Sequence, residues 1–196
     1  VTYSNFPLNA DSLIAASADE AKIKSGSPFD VVSLDAERNR LSNLFRNNGY
    51  YYYQPSYASY RADTVNTPGK VKLDVELADN LPEKALKKWY IGNISINLRR
   101  TFMEELKDSI HYYFFRAYFN GKKPPVRPRV IMSDMKLRHG QPYDYSKHTE
   151  SNNRIASKGM FSSVDFQFTP RDTTAACDTL DLLLNCVFDK PYDFYV

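Results

Sequence analysis

One short phrase occurs twice in this chain, 114 residues apart: Gly26-Ser-Pro28-Phe29-Asp30 and Gly140-Gln-Pro142-Tyr143-Asp144. After each copy comes a polar stretch with helical spacing that ends in glycine, at Gly49 or Gly159, and then two runs that alternate as strands do. A chain that repeats an ordered set of parts is built from copies of one module, so this self-similarity constrains the fold before any single element is assigned. The 196 residues divide into two modules of about 80 to 115 residues, each large enough to bury a core without metal or disulfide staples.

In the first copy Val1 to Phe6 reads as a strand. Asp11 is placed to cap a helix carrying Leu13, Ile14 and Ala18 and ending near Lys24, because Gly26 and Pro28 break it. Ser33 is the expected cap of a second helix whose apolar stripe is Leu34, Leu41, Leu44 and Phe45. Glu37, Arg38, Arg40 and Arg46 fall largely outside that stripe. Asn48-Gly49 is a left-handed stop. Tyr50 to Ala62 reads as a strand, kept to a sheet edge by Pro55. Lys70 to Leu77 then alternates, with Val71, Leu73, Val75 and Leu77 on one face.

The second copy follows the same order: Trp89 to Leu98, a helix over Arg129 to Arg138, a helix over Ser146 to Lys158, and strands over Phe161 to Thr169 and Leu180 to Phe188. Residues 99–128 have no counterpart and read as a basic, aromatic elaboration of a loop. The expected fold is α+β: two tandem β-α-α-β-β modules, residues 1–80 and 81–196, each with two helices packed on one face of a three-stranded mixed sheet.

Little here suggests chemistry. His111, His139 and His148 lack metal-ligand spacing, and no phosphate cradle or nucleophile elbow is present, so no catalytic, cofactor or metal residues are expected. Asp30 and Asp144 recur because a carboxylate after Pro-aromatic can accept backbone N–H groups at a helix start. Cys177 and Cys186 would lie about 30 Å apart along an extended strand, so both are expected unpaired, with Cys186 facing the core. No run approaches the roughly 20 apolar residues of a spanning helix. Charge is uneven: residues 84–139 hold 13 Lys and Arg against 4 Asp and Glu, a balance of 13 − 4 = +9 in a chain of net +3.

A succession of motifs adds a resemblance. Gly26-Ser-Pro-Phe-Asp30, Leu34-Asp-Ala-Glu-Arg38, Leu44-Phe-Arg-Asn-Asn-Gly-Tyr-Tyr-Tyr-Tyr53 and Ala62-Asp-Thr64, in that order, resemble the polypeptide-transport-associated (POTRA) domains of BamA-like and TamA-like outer-membrane barrel proteins. Gly140-Gln-Pro-Tyr-Asp144 with Lys158-Gly-Met-Phe-Ser-Ser-Val164 resembles the module next to the barrel. The resemblance implies a periplasmic, non-enzymatic scaffold of an outer-membrane protein. Its implied partners are unfolded outer-membrane clients, accessory periplasmic proteins or lipoproteins, and a C-terminal barrel, with no nucleic acid.

It also implies the strand order first, third, second, which leaves the second strand open for β-augmentation. The expected edge positions are Tyr53, Ser56, Tyr57, Ser59 and Arg61 in the first copy, and Ser163, Asp165, Gln167 and Thr169 in the second. The alternative is a basic-aromatic module for an anionic membrane surface, or for nucleic acid, using Arg100, Lys107, Arg116, Lys122 and Lys123.

Overall fold

Both halves of the chain run strand, helix, helix, strand, strand, and the second half interpolates a hairpin. The computed structural model describes residues 1–66 and 68–189, and the chain divides into the units Val1–Lys88 and Trp89–Val196. The first unit comprises β1 (Thr2–Ser4), α1 (Leu8–Ala16), α2 (Val31–Arg46), β2 (Ala58–Asp63) and β3 (Lys72–Leu77). The second comprises β4 (Tyr90–Arg99), β5 (Asp108–His111), β6 (Phe115–Phe119), α3 (Pro128–Asp134), α4 (Tyr145–Ala156), β7 (Phe161–Pro170) and β8 (Thr179–Phe188).

The repeated phrase starts a helix each time. Asp30 is extended, and its carboxylate accepts from the Ser33 N–H at 2.9 Å and the Ser33 hydroxyl at 2.6 Å. Ser33 therefore donates to the cap; the cap itself is Asp30, which needs the carboxylate one turn ahead of the first free N–H groups. Asp144 repeats the arrangement on the Lys147 N–H at 3.1 Å. α2 stops at a left-handed glycine, Gly49 with φ 101°, where the Tyr50 N–H reaches back to Phe45 O at 3.1 Å.

In the first unit the strands lie in the order β1-β3-β2, with β1 parallel and β2 antiparallel to β3. Leu41 and Phe45 of α2 and Ile14 of α1 close over Val75 and Ala58. Phe45 also touches the rings of Phe6, Tyr50 and Tyr53, at 5.8, 5.5 and 4.5 Å between centroids. Each such buried side chain contributes about 1.5–3 kcal/mol.

Three expectations change here. α1 begins after Pro7, not at Asp11, and ends at Ala16, where the Ser17 hydroxyl bonds Ile14 O at 3.2 Å; a short 3-10 turn, Ala18–Glu20, follows. The tyrosine run is no strand. After Gly49 it turns, placing Tyr50 and Tyr53 inward at a spacing of three, and Pro55 opens a 3-10 turn, so β2 starts only at Ala58. Glu37 and Arg40 are not on a wet face: both are buried, because the chain after α1 covers a second side of α2.

The second unit keeps the order β4-β8-β7 within a larger sheet, β5-β6-β4-β8-β7, with β7 at one edge. Residues 99–128 are thus not a loop, and this sheet has five strands where three were expected. β6 runs parallel to β4 along its otherwise open flank, from Ile94 beside Phe115 to Asn97 beside Tyr118. Burial drives this pairing, since Ala117 and Phe119 alternate into the core. The hairpin is closed by the Tyr112 N–H on Phe115 O at 2.8 Å.

Ile94, Ile96 and Leu98 of β4 and Leu180, Leu182, Leu184 and Cys186 of β8 are buried, as are Ile131 of α3, Ile155 of α4 and Met135, Leu137 and Tyr143 between those helices. α3 ends at Asp134, about one turn before the expected Arg138. Beyond it Met135 and Leu137 bury alternately, and the Lys136 N–H is taken by the Ser151 hydroxyl at 2.8 Å.

Candidate functional site

Each sheet ends on its second repeat strand: β2 in the first unit and β7 in the second. In an antiparallel pair both backbone groups of one residue bond the partner strand, and both groups of the next point away. The phase of that alternation decides which residues offer hydrogen bonds to a newcomer.

On β2 the Ala78 N–H donates to Tyr57 O at 2.9 Å, continuing a register in which Ser59 faces Glu76 and Arg61 faces Asp74. Ser59, Arg61 and Asp63 therefore direct their backbone to β3, and Ala58, Tyr60 and Ala62 direct theirs outward. Ala58 O is covered by Arg38, whose Nε donates to it at 3.0 Å. Tyr60 is held from behind, its hydroxyl on Leu34 O at 2.6 Å and the Arg38 guanidinium 4.9 Å from its ring centroid. The outward flank is then Tyr60 and Ala62, on a strand fixed by α2.

On β7 the Arg171 N–H donates to Thr179 O at 3.0 Å in the register that sets Thr169 opposite Asp181 and Gln167 opposite Leu183. Ser163, Asp165, Gln167 and Thr169 accordingly pair with β8, and Val164 and Phe166 present outward backbone. Phe166 packs its ring 4.9 Å from His148 of α4, so this edge too is braced by a helix. Pro170, which has no N–H, ends the strand, and a register shift between Phe161 and Ser163 bends its start.

The nine expected edge positions are corrected by this geometry. Tyr53 is a core residue, 4% exposed, and Ser56 and Tyr57 lie in the 3-10 turn before the strand. Ser59, Arg61, Ser163, Asp165, Gln167 and Thr169 are on the right strands in the wrong phase. Their side chains point away from the helices, which was the pattern visible in sequence. Backbone direction follows from which flank the neighbouring strand occupies, and only the register supplies that.

Of the basic side chains, Arg100 lies 3.8 Å from Glu104 and Lys107 lies 3.9 Å from Glu105. Lys122 and Lys123 follow β6 near Asp108, which accepts the Gly121 N–H at 2.9 Å. Arg116 sits at the opposite, incoming end of β6, beside Ser95. Four of the five cations lie toward one end of the sheet, interleaved with carboxylates, and Arg116 stands apart beside the middle of β4.

His139 Nδ1 lies 2.7 Å from Gly92 O and His148 Nδ1 lies 3.0 Å from the Tyr143 hydroxyl, both local structural contacts. Cys177 and Cys186 are buried and form no disulfide, and burial pushes the Cys186 thiol up to about 12. Among the described residues no His, Cys, Asp and Glu side chains group as a metal site, and no helix is long and apolar enough to cross a membrane.

No protein-family model matches the sequence, and no curated protein matches it. Solved structures do. BamA from Haemophilus ducreyi lacking POTRA domains 1–3 superposes with a TM-score of 0.63 at 11% identity, over 96% of this chain and 30% of that one. Weaker superpositions are POTRA1–3 of Omp85 from Anabaena, TM-score 0.42 at 16% identity over 95% of this chain and 60% of that one, and Haemophilus influenzae BamA POTRA3–5, TM-score 0.37 at 10% identity over 95% of each. This chain thus spans about 30% of the H. ducreyi BamA chain. With the duplicated strand-helix-helix-strand-strand order and the first-third-second pairing in both units, the likeness is one of fold: the chain folds as two tandem POTRA domains like those of BamA.

Proposed function

We propose that this chain is a periplasmic, non-enzymatic scaffold of an outer-membrane barrel protein, and that it holds extended polypeptides by strand addition to β2 and β7. The observation that carries the proposal is the recurrence, in both units, of a second strand with one unpaired flank braced from behind by a helix. Such an edge binds main chain, so it accepts many sequences, as a scaffold for unfolded outer-membrane clients requires. Accessory periplasmic proteins or lipoproteins would use the same edges, and a C-terminal barrel would complete the protein. Likeness in fold to BamA's POTRA domains supports this reading.

The ladder phase dictates the experiment. Proline removes an N–H. At Ala62 or Val164 that N–H points outward, whereas at Ser59 or Gln167 it bonds the neighbouring strand. Ala62→Pro and Val164→Pro are expected to weaken binding of an unfolded outer-membrane protein by several-fold while each unit keeps its fold. Ser59→Pro and Gln167→Pro are expected to destabilise their units first. If Ala62→Pro and Val164→Pro together leave client binding intact, edge pairing is wrong.

A further inference from the structure

We propose that a pocket between β4, the tip of the β5–β6 hairpin and α3 takes an apolar side chain from an acidic polypeptide segment. The pocket has a volume of about 340 Å³ and is lined by buried Ile94, half-buried Phe115 and Met132, exposed Phe114 and the exposed Arg129 and Arg138 that form its rim. Phe114 is 64% exposed and its neighbour Tyr113 90% exposed, stacked edge-on at 4.5 Å, so the hairpin presents apolar surface to solvent.

The rim is one-signed: no carboxylate lines the pocket, and neither arginine joins an ion pair among the described residues. Both guanidinium groups are nonetheless placed. Arg129 stands 5.3 Å from the Tyr112 ring centroid, and Arg138 Nη1 donates to Met135 O and Leu137 O. Positioned arginines with an aromatic-walled recess are the residue types that anchor protein interfaces. Charge complementarity selects a carboxylate-bearing partner, because arginine matches carboxylate geometry with two parallel bonds. A concave recess favours a polypeptide side chain over a flat bilayer. Neither β2 nor β7 contributes a residue to it, so this inference does not rest on strand addition.

The test is a titration of the 196-residue chain against a fluorescein-labelled acidic pentapeptide with one central phenylalanine, followed by anisotropy. The comparisons are the same peptide with central alanine, its lysine-for-acid counterpart, and phosphatidylglycerol vesicles. Binding of the acidic phenylalanine peptide should be roughly tenfold tighter than that of either control peptide and should fall with added salt. Arg129→Ala with Arg138→Ala should remove most of it. Arg138 also donates to the Met135 and Leu137 carbonyls, so melting curves are taken alongside. If the pair is destabilised, Arg129→Ala alone, at an exposed side chain, should still weaken binding several-fold. Met132→Glu should block the pocket, and if that variant unfolds the arginine pair decides. Equal binding of the alanine peptide, full binding by the arginine double variant, or vesicle binding without peptide binding would each overturn the proposal.

Discussion

The Tyr3 hydroxyl donates to Glu37 Oε1 at 2.7 Å, fastening β1 to α2 across 34 residues of chain. Glu37 also accepts from Arg40 Nη2 at 2.6 Å, Arg40 Nε at 2.9 Å and the Lys22 N–H at 2.7 Å, and it is wholly buried. Burial alone pushes its carboxyl up, but hydrogen bonds from Arg40, the Lys22 backbone and Tyr3, with the charge of Arg40, outweigh it and hold Glu37 below the ordinary 4.5. A carboxyl lowered by folding binds fewer protons native than unfolded in acid. Its stabilisation is therefore complete above about pH 4.5 and is lost as pH falls through the folded value. Glu37→Gln should flatten that part of the acid-unfolding profile of the first unit; an unchanged acid slope would refute the assignment.

Arg40→Ala leaves the same carboxylate buried without its charge partner, which costs about 3–5 kcal/mol. Replacing the pair together, Glu37→Leu with Arg40→Met, removes the orphaned charge and should recover much of that loss. Chemical denaturation of the two variants distinguishes the cases. Equal destabilisation by the single and the double change would mean that packing, not charge pairing, sets the cost.

Each unit carries its own apolar core, so the two should unfold separately. Leu73 of β3 is 3% exposed, and Ile96 of β4 is fully buried. Leu73→Asp places an unpaired charge in the first core and should abolish slow amide exchange in β3 while Leu182 and Leu184 of β8 stay protected. Ile96→Asp should do the reverse. Loss of protection in both units from either change would show a single cooperative structure.

What the sequence made legible was local. The caps at Asp30 and Asp144 and the stop at Gly49 depend on a few neighbouring residues, and the inward faces of β3, β4 and β8 follow from alternation that one covering layer imposes. What it hid was set from a distance. Glu37 and Arg40 look like wet-face residues until the segment after α1 folds over them. Tyr50–Tyr53 has strand propensity, yet a left-handed glycine before it and a proline after it make it a turn. The β5–β6 hairpin depends on β6 finding β4 in parallel, a pairing with no local sequence signature. The binding edges lay between these cases: the strands were identifiable, but their hydrogen-bond phase needed the registers of β2 on β3 and β7 on β8.

The second cap gives a calibrated prediction. Asp144 accepts from the Lys147 N–H and also from the Ser146 hydroxyl at 2.7 Å, starting a helix of only 12 residues. Asp144→Ala should cost about 1 kcal/mol, and Asp144→Asn or Asp144→Ser much less, because either supplies the missing acceptor. Thermal melting of the three variants tests this. A serine variant as unstable as the alanine one would assign the loss to something other than capping.

Gly92 leaves room for side chains of the neighbouring strand. It lies where β4 shifts register against β8, between Ile91 and Ile94. A Cβ there would run into Asp181 Oδ1, an Arg171 guanidinium nitrogen and Thr179 Cγ2. Asp181 accepts from the Asn93 N–H at 2.7 Å and from Arg171 Nη2 at 2.8 Å, so the shift is pinned by a carboxylate in the space a side chain would need. Gly92→Ala therefore forces Asp181 off both partners, and a cost of roughly 1–3 kcal/mol is expected. In an Asp181→Ala background those bonds are already gone and the collision eases, so the increment from Gly92→Ala should shrink. A double-mutant cycle measures that coupling; strict additivity would mean that the glycine is required for some reason other than room for the carboxylate.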